Sequence, residues 1–399
     1  MEALLVLVAL TAIFGVLIAP AMRRRRQRLE GAQGFARALD AGAGYGFVPT
    51  EHLDVRLPGP DQEFVEALEE TQRTQDWQPV ARLLAFTGDE WELRWQRVQS
   101  MAGAAAMELA GARTLGAPDA SPRPSASGDT AAGDPDAGRG VSFSKEPGTR
   151  DARWLREWRT QQPGDAGGAE VYAQFLVFQA ITDTASADHR IILEEARTVC
   201  QGAMELAPDD PTPHITELFI ARHLSYRRAD FEELWAALRR KAPNHMGAHL
   251  AALPYWSENG CGSRAESDAF ARTAAAHAPE GTLLPALPLF SVYEHLPEVN
   301  VVRGLYQSEE IEKAVEAAEY AVDQVEADHP VRPHVLHLLV CFLVRAERYG
   351  EAMDALRVVD GYVGARPWAD SGNPAGQYSA YRAQAVAGWE AAGGERAQL

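Results

Sequence analysis

Apolar residues recur along this chain at intervals of three and four, the period of one helical face. Phe64, Leu68 and Thr71 form one stripe, Trp77, Val80, Leu83 and Leu84 the next, and Trp91, Trp95, Val98, Met101 and Ala105 a third. No segment keeps the apolar–polar alternation of a half-buried strand. Prolines and Asp-Gly-type breaks fall at the ends of the stripes, where helices stop. The pattern predicts an all-α protein.

Two kinds of segment depart from it. Ala3 to Met22 carries no charged side chain, and Thr11 is its only hydroxyl. At 1.5 Å per residue this run matches the roughly 30 Å hydrocarbon core of a bilayer, so residues 3–22 are expected to form a single transmembrane helix. Only Glu2 precedes the run, whereas Arg23, Arg24, Arg25, Arg26 and Arg28 follow it. Positive charge stays on the cytoplasmic side, which places the N-terminus outside and the body in the cytoplasm, as a single-pass protein of the cell membrane. A secretory signal would carry its positive charge ahead of the apolar run, although Ala19-Pro20-Ala21 has the form of a cleavage site. Residues 23–59 read as a basic juxtamembrane segment and Gly/Ala-rich linker. A second irregular stretch, 111–150, is dense in Gly, Pro, Ser, Ala and Asp and reads as a disordered insertion between helical hairpins. Hairpins are expected over 60–110 and again over 151–395, where Tyr378 to Ala391 would form a cap.

The longer period is more informative. Ala207-Pro208, Ala242-Pro243 and Ala278-Pro279 end three successive segments, with prolines 35 and 36 residues apart. Pro330 and Pro367 close two later segments 37 residues apart, and the step of 51 from Pro279 to Pro330 requires a longer connection. Such spacing marks a helix-turn-helix repeat, whose units bury their apolar faces only against neighbours. It resembles the tetratricopeptide repeat (TPR), and the layout is similar to helical-repeat proteins common in actinobacteria. The match is best where Leu336, Leu339 and Leu343 would lie on a first helix and Ala352 and Leu356 on a second, entered through Tyr349-Gly350-Glu351-Ala352. Phe270 and Ala274, and Trp235 and Leu238, take the equivalent inner positions of two earlier units. Val340 and Phe219 stand where the motif has a small residue, and Trp-x-x-Leu-Gly is nowhere complete. The resemblance implies a TPR-like α-solenoid, six or seven hairpins long, that binds a protein or peptide.

Charge and candidate chemistry narrow the function. The net charge of -18 is unevenly spread: without Glu2 and the five clustered arginines, 33 basic residues face 55 acidic ones, a net -22. So acidic a body disfavours nucleic acid, and an acidic groove would favour basic segments. Cys200, Cys261 and Cys341 show neither a disulfide framework nor zinc spacing, and Cys261, between two glycines, is the thiol expected to be exposed. His245 and His249 share a helix face and are the candidate metal ligands, with His214 or Glu217 as a third. The residues between them, Met246, Gly247 and Ala248, leave no HExxH. His334 and His337 form a second pair beside apolar neighbours. No phosphate-binding glycine loop occurs. Trp154, Trp158, Trp235 and Trp256 stand at helical spacing, as core or as the lining of a groove. No catalytic residue and no cofactor is expected. A membrane-tethered interaction scaffold is the leading reading, with a metal-dependent enzyme and a self-assembling structural protein as alternatives.

Overall fold

A computed structural model of the chain describes residues 44–116, 151–297 and 304–394. The apolar run 3–22, the arginine cluster 23–28 and most of the 111–150 insertion lie outside the described residues. Among those described, every regular element is helical, and no helix is long and apolar enough to cross a membrane.

The helices are α1 (Gln62–Thr74), α2 (Gln78–Thr87), α3 (Trp91–Gly116), α4 (Arg153–Gln161) and α5 (Ala166–Thr182). They continue with α6 (His189–Leu206), α7 (Thr212–His223), α8 (Arg228–Lys241), α9 (Met246–Ala252) and α10 (Arg264–Ala276). The last five are α11 (Leu287–Glu294), α12 (Glu309–Gln324), α13 (Arg332–Arg345), α14 (Tyr349–Val359) and α15 (Pro374–Ala391). Helix α3 runs past Ala110 to Gly116, six residues into the Gly-rich stretch.

Local sequence sets the boundaries. Asp61, Asp165, Ser263 and Asn373 cap α1, α5, α10 and α15 by accepting from the N–H three residues on, satisfying an orphan donor of the first turn. At α10, the Ser263 hydroxyl also donates to the Glu266 carboxylate at 3.0 Å. Helices α6, α8 and α10 end at Leu206, Lys241 and Ala276, 35 residues apart and just ahead of the repeat-closing prolines.

Most consecutive helices pack on one another, and α3 on α5, α5 on α7, α7 on α9 and α13 on α15 pack across them. Two apolar cores result. One is built largely from α1–α6 around Trp154 and Trp158, the other from α7–α15 around Phe231, Tyr255, Trp368 and Tyr378. Helix α13 buries every residue from Val335 to Val344 and is apolar all round, as a helix covered on all sides must be.

Residues 48–58, which composition alone reads as spacer, are bound to the far end of the chain. Val48 N–H donates to Asp360 and Val48 C=O accepts from Arg382 at 2.7 Å. Thr50 and Ser379 hydroxyls meet at 2.7 Å. Asp54 pairs in parallel with residues 361–363, its N–H donating to Gly361 C=O and its C=O accepting from Val363 N–H, both at 2.8 Å. Gly364 N–H then donates to Leu57 C=O at 2.7 Å. A Cβ on Gly364 would lie 2.6 Å from the Leu57 backbone, so the strap needs glycine there.

Candidate functional site

A cleft of about 670 Å³ opens between α8 and α10. Helix α8 presents Arg228, Trp235 and Arg239 to it, and α10 presents Glu266, Phe270, Thr273, Ala274 and His277, each set at helical spacing along one face. Helix α9, which runs between them, supplies His249 and is only seven residues long. At Leu253 it gives way to a 3₁₀ turn, Leu253–Trp256, which carries Trp256 to the cleft wall. The loop after this turn folds back on it: Gly260 and Gly262 sit so close that a Cβ would lie 2.2 Å from Pro254 O and 2.3 Å from Trp256 O. Cys261, between them, is exposed and donates its N–H to Tyr255 O.

The cleft is walled by rings. Trp235 meets His249 edge-on at 4.9 Å between centroids and Phe270 at 5.3 Å, and Phe270 stacks on Trp256 at 6.2 Å. Edge and offset arrangements of this kind are the favoured ones. The Arg228 guanidinium lies 4.9 Å from the Trp256 ring centroid and is held there by Glu232 at 3.0 Å and Glu266 at 2.5 Å. Both carboxylates nearest the rings are therefore engaged, whereas Arg239 makes no ion pair among the described residues. Charges at the cleft balance, two arginines against Glu232 and Glu266, unlike the acidic body.

His245 and His249 do share a helix, but their ring nitrogens are already committed. His245 caps α9, its Nδ1 accepting from Ala248 N–H at 3.2 Å while Nε2 donates to Trp91 O at 3.2 Å. His249 Nδ1 lies 3.0 Å from His245 O; since a carbonyl only accepts, Nδ1 carries the proton and Nε2 is left as an acceptor. Burial pushes the His249 pKa down to about 4, so the ring is neutral near pH 7. The pair leaves one acceptor on the cleft, and among the described residues no group of three or more His, Cys, Asp or Glu is placed to hold a metal. Glu217 accepts from Tyr226 instead of approaching either ring. His337 is likewise saturated, accepting from Trp368 Nε1 at 3.0 Å and donating to Pro58 O at 2.8 Å.

One other ionisable cluster is wholly internal. Arg94 bridges Glu170 and Asp210 in the interior and donates to Leu84 O at 3.0 Å. Burial, with Asp210 beside it, pushes Glu170 up to about 8. Cys200 and Cys341 are buried, and burial raises both thiols, Cys341 to about 11, which makes them poor nucleophiles.

Sequence spacing placed Trp235, Phe270 and Trp256 on helical faces. Arg239 and the free Nε2 of His249 were not foreseeable, because both follow from which neighbours claim the surrounding groups. No protein-family model, no curated protein and no solved structure matches the chain.

Proposed function

We propose that this chain is a membrane-anchored, TPR-like helical-repeat scaffold whose α8–α10 cleft binds a peptide segment of a partner protein. The observation that carries this reading is the cleft itself: an apolar, ring-lined recess with a few convergent polar groups. The 35-residue interval between helix ends supports the repeat architecture. Residues 3–22 and the arginines after them support an anchor with the body in the cytoplasm. Tethering would raise the local concentration of captured partners at the bilayer.

The test is a random-peptide display selection against the full-length chain in detergent, with Trp235→Ala/Phe270→Ala protein in parallel. Peptides enriched on the native chain and lost on the double variant are the expected result. Enrichment that survives the double variant would remove the cleft from the reading.

A further inference from the structure

The polar groups around the cleft specify more than apolar contact. His249 is only 4% exposed, lines the cleft, and has one ring nitrogen fixed as a donor to a main-chain carbonyl. Its Nε2 has no partner among the described residues, and it is not among the polar atoms sealed from solvent without one. A buried acceptor left unmatched when a ligand expels water costs about 1–3 kcal/mol. An occupant of this cage must therefore bring a donor to a position enclosed by Trp235 and Phe270.

Charge selects further. A cationic side chain would enter a space that already holds the Arg228 guanidinium and would find Glu232 and Glu266 taken. Arg239, exposed and one turn beyond Trp235 on the same face of α8, offers a carboxylate an uncommitted partner. The acidity of the whole body acts weakly against this contact, because charges beyond about 10 Å are screened at 0.1 M salt.

Resting on the peptide-binding reading above, we infer that the cleft takes an aromatic side chain bearing its own hydrogen-bond donor, tyrosine or tryptophan, next to a carboxylate residue. The phenol O–H or indole N–H donates to His249 Nε2 between the rings, and the neighbouring carboxylate meets Arg239. Phenylalanine fills the same volume but leaves Nε2 unmatched.

Full-length protein in detergent is titrated with three labelled Gly/Ser nonapeptides carrying a central Asp-Tyr, Asp-Phe or Lys-Tyr, read by fluorescence anisotropy. Asp-Tyr is expected to bind about tenfold tighter than Asp-Phe, the ratio that corresponds to 1.4 kcal/mol, and also tighter than Lys-Tyr. His249→Phe should erase the Tyr preference while Asp-Phe still binds. Arg239→Glu, a surface change that does not threaten folding, should invert the Asp/Lys preference. Equal binding of Asp-Tyr and Asp-Phe, or a charge preference untouched by Arg239→Glu, overturns this inference. If that binding is still lost in Trp235→Ala, the peptide-binding reading survives. Failure of all three peptides to bind overturns both.

Discussion

Helices α13 and α9 hold the same place between successive prolines of similar spacing, Pro330 to Pro367 and Pro243 to Pro279, yet they produce different surfaces. Helix α13 is 14 residues long, and its Leu336, Leu339 and Leu343, buried to 4%, 2% and 1% exposure, floor a recess of about 460 Å³ whose rim between α12 and α14 is charged, with Glu319, Asp323, Arg348 and Glu351. Helix α9 is half that length and ends in a 3₁₀ turn at Leu253-Pro254, so the rings of α8 and α10 stay partly uncovered. The same helix order thus gives a leucine-floored recess with a charged rim where the first helix is complete and a larger, ring-lined one where it is cut short. The shape of a binding surface then depends on where a helix stops, which a proline and two glycines control.

The sharpest way to break this comparison is to truncate a ring on each side of it. Phe342→Ala, in α13, should cost about 3–5 kcal/mol in urea unfolding, the usual loss for a fully buried phenylalanine. Phe270→Ala should cost well under half of that, since its ring already faces solvent. Equal losses would mean that the cleft is core.

Acid should weaken both regions next. Burial lowers His337 to about 4 and His334 to about 3 in α13, as it lowers His249 at the cleft. Unfolded histidines bind protons near pH 6.5, before the folded ones do, so stability is fully present above that pH and is lost as pH falls through the folded values. For the fully buried His337 the loss is on the order of 3 kcal/mol, at 1.36 kcal/mol per pH unit. Glu170 has the opposite sign: raised to about 8, it contributes stability below its unfolded value that disappears as pH rises through 8. Thermal unfolding from pH 8 to 4 should show a decline below 6.5 that His337→Gln shallows more than any substitution at an exposed histidine such as His277.

Gly262→Ala tests the truncation itself. Its Cβ would press on the Trp256 backbone, and a loss of about 1–3 kcal/mol is expected, as for overpacking elsewhere. Gly372→Ala, with open space around it, is the control and should leave the melting temperature unchanged. The smallest effect belongs to Arg239→Ala, which should alter stability by no more than about 0.5 kcal/mol, as exposed substitutions do.

Much of the helical body is legible in the sequence, and the reason is local. Stripes such as Phe64, Leu68 and Thr71 state a period, and Ser263 with Glu266 states a start, without reference to anything distant. Trp235 and Phe270 are legible as inner positions of their units. That they stay open is not, because exposure depends on how far α9 reaches over them. His249 looks like half of a metal pair in sequence; only the carbonyl of His245 beside its Nδ1 shows that it offers a single acceptor. The strap at 48–58 has no sequence signal of its own, since its partners are main-chain groups and Asp360, Ser379 and Arg382, some three hundred residues away.

That strap changes how the molecule bears load. In an open stack of repeats, a pull between the two ends passes through every interface in series, and the weakest one yields. Here Val48, Thr50, Asp54, Leu57 and Pro58 are fastened to α13, α15 and the segment between α14 and α15. Tension between residue 44 and the last helix is therefore carried in shear by these few hydrogen bonds. The helices between, and the cleft among them, stay slack until the clasp gives way.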